Sequence, residues 1–360
     1  MRRRGEWMPA AALAVLMLAG CTASPPAIES TANAEPETLA EGLEAPWSVV
    51  PLLDDPAAPG ALISQRGDGA VLELTPSGEL RQVGVIPGVV AGGESGLHGL
   101  AVWDDDGTRW LYAYHGATSD NRVVRVPLTG EPGALTLDTA RLDIVFSGIP
   151  RASHHDGGRI AFGPDGMLYI ATGDAGRTEM ARDPDQLGGK ILRLTPEGDP
   201  APDNPFGSAV YSIGHRNVQG LAWDADGTLW ASEFGQNTWD ELNRIEAGGD
   251  YGWPDHEGMA DAEGVIDPVT VWRPGDASPS GIAVIDGIVY VAALRGERLW
   301  LVDPENDPEG WSAFTGEFGR LRDVVAGPAG TFWVLTNNTD GRGSPRDGDD
   351  RLLQLTLPEG

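Results

Sequence analysis

Six times along this chain a short apolar, β-branched or aromatic run gives way to Gly, Asn or a charged turn. The runs are Ala61-Leu62-Ile63-Ser64-Gln65, Trp110-Leu111-Tyr112-Ala113-Tyr114, Leu168-Tyr169-Ile170-Ala171-Thr172, Leu229-Trp230-Ala231-Ser232-Glu233, Val289-Tyr290-Val291-Ala292-Ala293 and Phe332-Trp333-Val334-Leu335-Thr336. Five follow a tight-turn signal: Asp105-Asp106-Gly107, Pro164-Asp165-Gly166, Asp224-Ala225-Asp226-Gly227, Asp286-Gly287 and Pro328-Ala329-Gly330. Asp-Gly between apolar runs is a hairpin signal, because glycine takes the positive φ that such turns require. The runs recur every 43 to 61 residues, the spacing of propeller blades carrying loop insertions. Further alternating segments lie between them, such as Ala70-Val71-Leu72-Glu73-Leu74, Val123-Val124-Arg125-Val126 and Lys190-Ile191-Leu192-Arg193-Leu194, and read as partner strands. No long helical periodicity intervenes. The expected fold is all-β, a six-bladed β-propeller; a sandwich or a solenoid is the competing architecture, and the wide insertions disfavour the solenoid. The run Arg351-Leu352-Leu353-Gln354-Leu355 is expected to close the ring as a strand of the first blade.

The N-terminal segment follows different rules. Arg2, Arg3 and Arg4 precede an almost wholly apolar stretch from Pro9 to Leu18, then Leu18-Ala19-Gly20-Cys21. The pattern resembles the lipobox of bacterial lipoproteins, with residues 1–20 a signal peptide and Cys21 the lipidated new N-terminus; an ordinary secretory signal is the alternative. Residues 21–44, rich in Ala, Pro, Ser, Thr and Glu, read as a flexible tether, leaving 45–360 as the propeller. That organisation places the protein outside the cytoplasm, anchored to the cell membrane only through Cys21. Cys21 is the single cysteine, which excludes disulfides and cysteine metal sites. The net charge is −29, and loss of residues 1–20, with three Arg and one Glu, takes it to about −31. So acidic a surface repels nucleic acid and anionic membrane alike.

Chemistry concentrates between Ser153 and Pro254. Three of the six histidines, His154, His155 and His215, sit there beside glycine-rich turns and close to Asp, Arg or Asn. His155 is a candidate general base, since imidazole accepts a proton near neutrality; a loop histidine with a structural task is the alternative. Asp174, directly after a repeat strand, fits either a partner for an imidazole or a turn cap. Glu94 between glycines reads as a turn residue when taken alone. Arg320 and Arg322, two apart in a strand, point to one face.

Nine strings in order resemble one family: Gly93-Glu94-Ser95-Gly96-Leu97-His98-Gly99-Leu100, His155-Asp156-Gly157-Gly158-Arg159, Gly173-Asp174, Gly189-Lys190-Ile191-Leu192-Arg193, Asp203-Asn204-Pro205-Phe206, Gly214-His215-Arg216-Asn217-Val218-Gln219-Gly220, Asp240-Glu241-Leu242-Asn243, Asp250-Tyr251-Gly252-Trp253-Pro254 and Arg320-Leu321-Arg322-Asp323. The chain resembles the soluble aldose sugar dehydrogenases dependent on pyrroloquinoline quinone (PQQ), the glucose/sorbosone dehydrogenase family. The resemblance implies oxidation of the anomeric C1 hydroxyl of aldoses to lactones. It makes His155 the base, and Asp174 and Arg216 its catalytic partners. Glu94, with His155 and Asp174, would line the sugar site. Arg216, Asn217, Arg295, Arg320 and Arg322 would bind the three carboxylates and the reactive carbonyl of PQQ. A calcium ion would sit against the quinone on backbone carbonyls of Gly235 and Gln236, with Asp240 and Glu241 binding or supporting it. Electrons would leave to an acceptor the sequence does not name, a cytochrome or a quinone. His154, Gln236 and Arg295 depart from the family's usual residues.

Two other classes remain open on the sequence. A calcium-dependent lactonase-type hydrolase would use acidic and amide ligands at the channel mouth and would not need convergent arginines. A non-catalytic surface-binding propeller would need neither His155 nor a cofactor.

Overall fold

The protein is described here by a computed structural model covering Met1 and residues 36–52, 59–328 and 330–356. Within these residues the chain forms six antiparallel sheets, the blades of a propeller. Blade 1 runs through Pro46–Leu52, Gly60–Gln65, Ala70–Leu74 and Leu80–Val85. Blade 2 uses Leu97–Asp105, Thr108–Gly116, Asn121–Thr129 and Asp143–Ile149, with Thr136–Leu137 added beside its third strand. Blade 3 is Ile160–Phe162, Leu168–Ala171, Ile191–Leu194 and Val210–Ser212, and blade 4 is Val218–Trp223, Leu229–Glu233, Asp240–Ile245 and Thr270–Trp272. Blade 5 comprises Pro279–Ile285, Ile288–Ala293, Arg298–Asp303 and Asp307–Ala313. The helical elements among the described residues are two single 3-10 turns, Thr139–Arg141 and Thr178–Met180.

Each repeat run is the second strand of its blade. These strands are the most deeply enclosed: all residues of Gly60–Gln65, Leu168–Ala171 and Leu229–Glu233 are buried. A blade flanked on both faces leaves its second strand no solvent side, and the strand accordingly reads as a continuous apolar run. The Asp-Gly pairs turn between first and second strands. In blades 2 and 5 both turn residues take positive φ (Asp106 45° and Gly107 79°; Asp286 50° and Gly287 82°), the geometry that matches strand twist. Six apolar clusters among the described residues form the core, each packed between two neighbouring blades. Tyr112 and Val123 of blade 2, for example, pack with Leu168 and Leu192 of blade 3.

Ring closure differs from the sequence expectation. Blade 6 contains Leu321–Ala326, Thr331–Thr336 and Leu352–Thr356, so the C-terminal run belongs to the last blade. Its outermost strand is Glu37–Ala40, which pairs antiparallel with Leu352–Thr356 through Glu37 and Gln354 and through Thr38 and Leu353. Backbone bonds from Gly42 N to Gly348 O (3.0 Å) and from Leu43 N to Asp350 O (3.0 Å) continue the seam. The ring is thus closed by the N-terminal strand, and the fold begins near residue 37, within the stretch read as tether. Glu37–Ala40 is four residues, half exposed and without strand alternation, so local pattern does not reveal it. Residues 1–20 and Cys21, with the expected signal and lipidation site, lie outside the described residues.

Candidate active site

In each blade the first strand begins and the second strand ends at the same face of the ring. Residues at these two positions therefore gather at one mouth. They surround a cavity of about 430 Å³ whose wall includes Glu94, His155, Arg216, Asn217, Arg320 and Arg322. Arg159 ties together residues 60 to 164 positions away in sequence: Nη1 donates to Asp323 Oδ2 (2.8 Å) and Ser48 Oγ (3.3 Å), and Nε to the Gln219 carbonyl (2.9 Å).

His155 precedes the first strand of blade 3 and has φ 57°, a left-handed conformation uncommon for a side chain of its size. Neighbours from two directions hold it there. Its N–H donates to Glu94 Oε2 (2.8 Å), and its carbonyl accepts from Ala175 N (3.2 Å). Gly173 makes room for that carbonyl, since a Cβ there would lie 1.9 Å from it. On the ring, Nδ1 meets Asp174 Oδ1 at 2.7 Å and Nε2 meets Arg216 Nη2 at 2.8 Å. A guanidinium only donates, so Nε2 carries the lone pair and Nδ1 the proton given to Asp174. The structure thus presents an unprotonated Nε2 to the cavity.

Asp174 is fully buried behind the ring. Its Oδ1 also accepts from Gly176 N (2.7 Å), and Oδ2 accepts from Trp253 Nε1 (2.9 Å). Burial opposes its ionisation, but the bonds from His155, Gly176 and Trp253 outweigh it and hold the carboxyl below the ordinary range. Asp174 is therefore the partner of His155. Its carboxylate is turned to His155, Gly176 and Trp253, and Asp174 is not among the residues that line the cavity. His154 is exposed and lies edge-on to His155 at 4.4 Å between ring centroids, so its departure from the family pattern leaves the orienting bond untouched.

Arg216 reaches across the mouth: Nη1 donates to the carbonyls of Phe234 (3.0 Å) and Gly235 (2.6 Å), and the guanidinium lies 5.4 Å from the Trp253 ring centroid. Its backbone N–H is held by Glu233 Oε1, and Glu233 Oε2 in turn contacts His215 Nδ1 (2.9 Å). His215 thus supports the site from behind and does not face the cavity. Asn217 Oδ1 accepts from Gly157 N (3.1 Å). Arg320 and Arg322 both enter the cavity, as their spacing foretold. Arg320 Nη2 donates to Asp340 Oδ2 (3.1 Å), while Arg322 is held by the neutral groups of Asn337, Gln219 and Ser280. Arg295 sits on an exposed turn at the rim.

The residues expected around a metal divide. Gly235, Gln236 and Asp240 line the cavity. The Asp240 carboxylate accepts from Gly235 N (2.9 Å) and Ser278 N (2.6 Å), and burial raises its pKa to about 6. Glu241, in the next position of the strand, points the other way, into a void of about 10 Å³ shared with Glu233 and Glu257. Burial and the nearby Glu233 raise its pKa to about 8. Among the described residues no three Asp, Glu, His or Cys side chains form a group arranged to hold a metal, so carbonyls would have to complete any set.

Arg66, His98 and Arg342 also line the cavity and were missed in the sequence. Arg66 directly follows the second strand of blade 1, and Asp174 comes three residues after that of blade 3; a place in the loop leaving a second strand was the available signal. His98 is stacked between Trp47 (5.0 Å) and Tyr114 (5.8 Å), and burial lowers its pKa to about 3, which keeps it neutral. Arg342 comes from the long polar loop between the last two strands of the chain.

A family model described as Glucose / Sorbosone dehydrogenase matches residues 43–352. Aldose sugar dehydrogenase YliI of Escherichia coli K12 is 29% identical over 350 residues, covering 86% of this chain and 93% of the relative. Quinoprotein glucose dehydrogenase B of Acinetobacter calcoaceticus is 32% identical over 238 residues, 56% of this chain and 49% of that one. The solved PQQ-bound aldose sugar dehydrogenase of Streptomyces coelicolor is 47% identical with a TM-score of 0.84, covering 89% of this chain and 96% of that one.

Proposed function

The chain belongs to the glucose/sorbosone dehydrogenase family, and on that premise we propose that it oxidises aldoses at C1 to lactones with PQQ as cofactor. The observation that carries this reading is His155, whose Nε2 faces an arginine-lined cavity with its lone pair free of a proton while Asp174 holds Nδ1.

The cavity suits a planar tricarboxylate. It gathers six arginines in a chain of net charge −29. Of these, Arg342 pairs with Glu94 and Arg320 with Asp340; Arg66, Arg216, Arg295 and Arg322 have no carboxylate within ion-pair distance among the described residues. Among the described residues the buried polar atoms Arg216 Nε, Arg320 Nε and Asn217 Nδ2 find no partner, an arrangement that an anionic ligand would satisfy. Burial, then neighbouring Arg66 and Arg320, lower the Arg322 pKa to about 9, so an incoming carboxylate relieves repulsion. PQQ would be held by Arg216, Asn217, Arg295, Arg320 and Arg322. When bound, it supplies a quinone that accepts the two electrons and the C1 hydrogen of the sugar.

The protein's own part is proton transfer and positioning. The anomeric O–H takes the donor's place at His155 Nε2, and the imidazole receives its proton as the C1–O bond gains carbonyl character. The resulting imidazolium is stabilised by the Asp174 carboxylate, already ionised and hydrogen-bonded to it. Glu94, fixed by the His155 N–H and by Arg342, presents a polar wall to the ring. Calcium would be held by the Gly235 and Gln236 carbonyls and Asp240, with Arg216 Nη1, which donates to the Phe234 and Gly235 carbonyls, giving up the latter. Glu241 would serve a cation only in its own void. Export and lipidation at Cys21 fit a dehydrogenase passing electrons to a membrane-linked acceptor. Six cavity arginines, in place of a carboxylate cluster, favour this reading over a lactonase-type hydrolase.

Reconstitution is the test. Residues 22–360 are mixed with PQQ and calcium, and dye reduction is followed with neutral aldoses, each component being omitted in turn. Turnover that requires sugar and PQQ together is expected. Failure to bind PQQ at all would overturn the assignment, and full activity after chelation would remove calcium from it.

A further inference from the structure

On the side of the cavity occupied by Glu94, positive charge exceeds what the protein neutralises. The cofactor reading assigns Arg216, Arg295, Arg320 and Arg322, leaving Arg66 and Arg342. Arg342 spends one donor, Nη2, on Glu94 Oε1 at 2.9 Å. A guanidinium has five N–H donors, and this one lines the cavity with 55% of its side chain exposed, so donors remain for a ligand. Arg66 Nη2 donates to the Asp340 carbonyl at 3.3 Å, while the Asp340 carboxylate is committed to Arg320 at 3.1 Å. Two guanidiniums thus share one nearby carboxylate, Glu94, which is already paired with Arg342. Burial, with Arg342 and Arg320 close by, lowers the Arg66 pKa further than its acidic neighbours restore it.

The position is next to the chemistry. Glu94 Oε2 accepts the His155 N–H, and Oε1 accepts from Arg342, so a single side chain links the base to Arg342. His155, Glu94, Arg66 and Arg342 line one cavity, so a sugar held at the base lies in the same chamber as this pair. Resting on the aldose reading above, we infer that Arg342, backed by Arg66, determines specificity by pairing with a carboxylate on the sugar. Uronic acids, aldoses whose terminal carbon is a carboxylate, are then substrates, and are favoured over their neutral counterparts. The reaction is unchanged: the same C1 hydroxyl is oxidised, with the same proton and electron acceptors. A planar guanidinium suits this task because it binds a carboxylate in bidentate fashion.

The experiment compares kcat/KM for glucuronate with glucose, and for galacturonate with galactose, in reconstituted wild type, Arg342→Gln and Arg342→Lys. Wild type is expected to prefer the uronate. Arg342→Gln should lower the uronate-to-neutral ratio at least about tenfold, the scale of one charge-assisted hydrogen bond, and Arg342→Lys should restore part of it. The ratio is the readout because a general disturbance of Glu94 would lower both sugars alike. Oxidation of neutral aldoses with uronates rejected, or with a ratio unmoved in Arg342→Gln, overturns this inference alone. Turnover of no aldose by wild type overturns the aldose reading and this inference with it.

Discussion

At the scale of residues, the decisive fact is which nitrogen of His155 carries the proton. Arg216 and Asp174 settle it from opposite sides, one able only to donate and the other, ionised, only to accept. Asp174→Asn would keep the shape and remove that constraint, since an amide can donate to Nδ1 and shift the proton to Nε2. We predict that kcat falls by about two to four orders of magnitude with a much smaller change in KM, checked by steady-state kinetics of the reconstituted variant. A loss of less than about tenfold would show that the tautomer does not matter. His155 and Asp174 were legible because each stands beside glycines in a motif whose chemistry is recognisable. Arg66 and Arg342 were not, because each alone is an arginine next to a turn.

At the scale of elements, the site is a product of strand ends and of the loops that follow them. The loop after Asp174 is secured by Lys190, whose ammonium, buried in the chain's interior, donates to the carbonyls of Met180 (2.6 Å), Ala181 (2.8 Å) and Gly188 (2.7 Å). Glu257 does the reverse for the loop after blade 4's second strand: its Oε1 accepts the N–H groups of Gln236, Asn237, Thr238 and Trp239 at 2.7 to 3.1 Å. Turning the Gln236 N–H outward to Glu257 points the Gly235 carbonyl of the same peptide the other way, where Arg216 Nη1 donates to it, while the Gly235 N–H of the preceding peptide is held by Asp240. Lys190→Met keeps the apolar stem and deletes the three bonds, leaving buried acceptors unsatisfied. A stability loss of at least about 3 kcal/mol is expected in urea unfolding. A loss under about 1 kcal/mol would mean that water replaces the ammonium. Lys190 was legible in sequence only as part of a strand motif, since its bonding partners are brought to it by the loop's own return.

At the scale of the whole molecule, the ring is held by packing between blades and closed by pairing the two ends of the chain. Removing Glu37–Ala40 would bare the edge of Leu352–Thr356 and uncover Leu43, which is buried. A chain starting at residue 45, the boundary that local composition suggests, should melt at least about 5 °C lower than one starting at residue 36, or aggregate. Equal melting temperatures for the two would show that closure by the N-terminal strand contributes little. What the sequence determined by itself was the repeat, hence the blade count, and the motif residues His155, Arg216, Arg320 and Arg322. Strand period and turn chemistry are local properties, and a residue's chemical type is written in its letter. What only the tertiary structure decided was closure by a strand with no pattern of its own, the placing of Glu241 away from Asp240's cavity, and the meeting of Arg66, Glu94 and Arg342. Those depend on positions far apart in the chain arriving at one mouth, and the ring geometry that brings them there leaves no mark in the residues between.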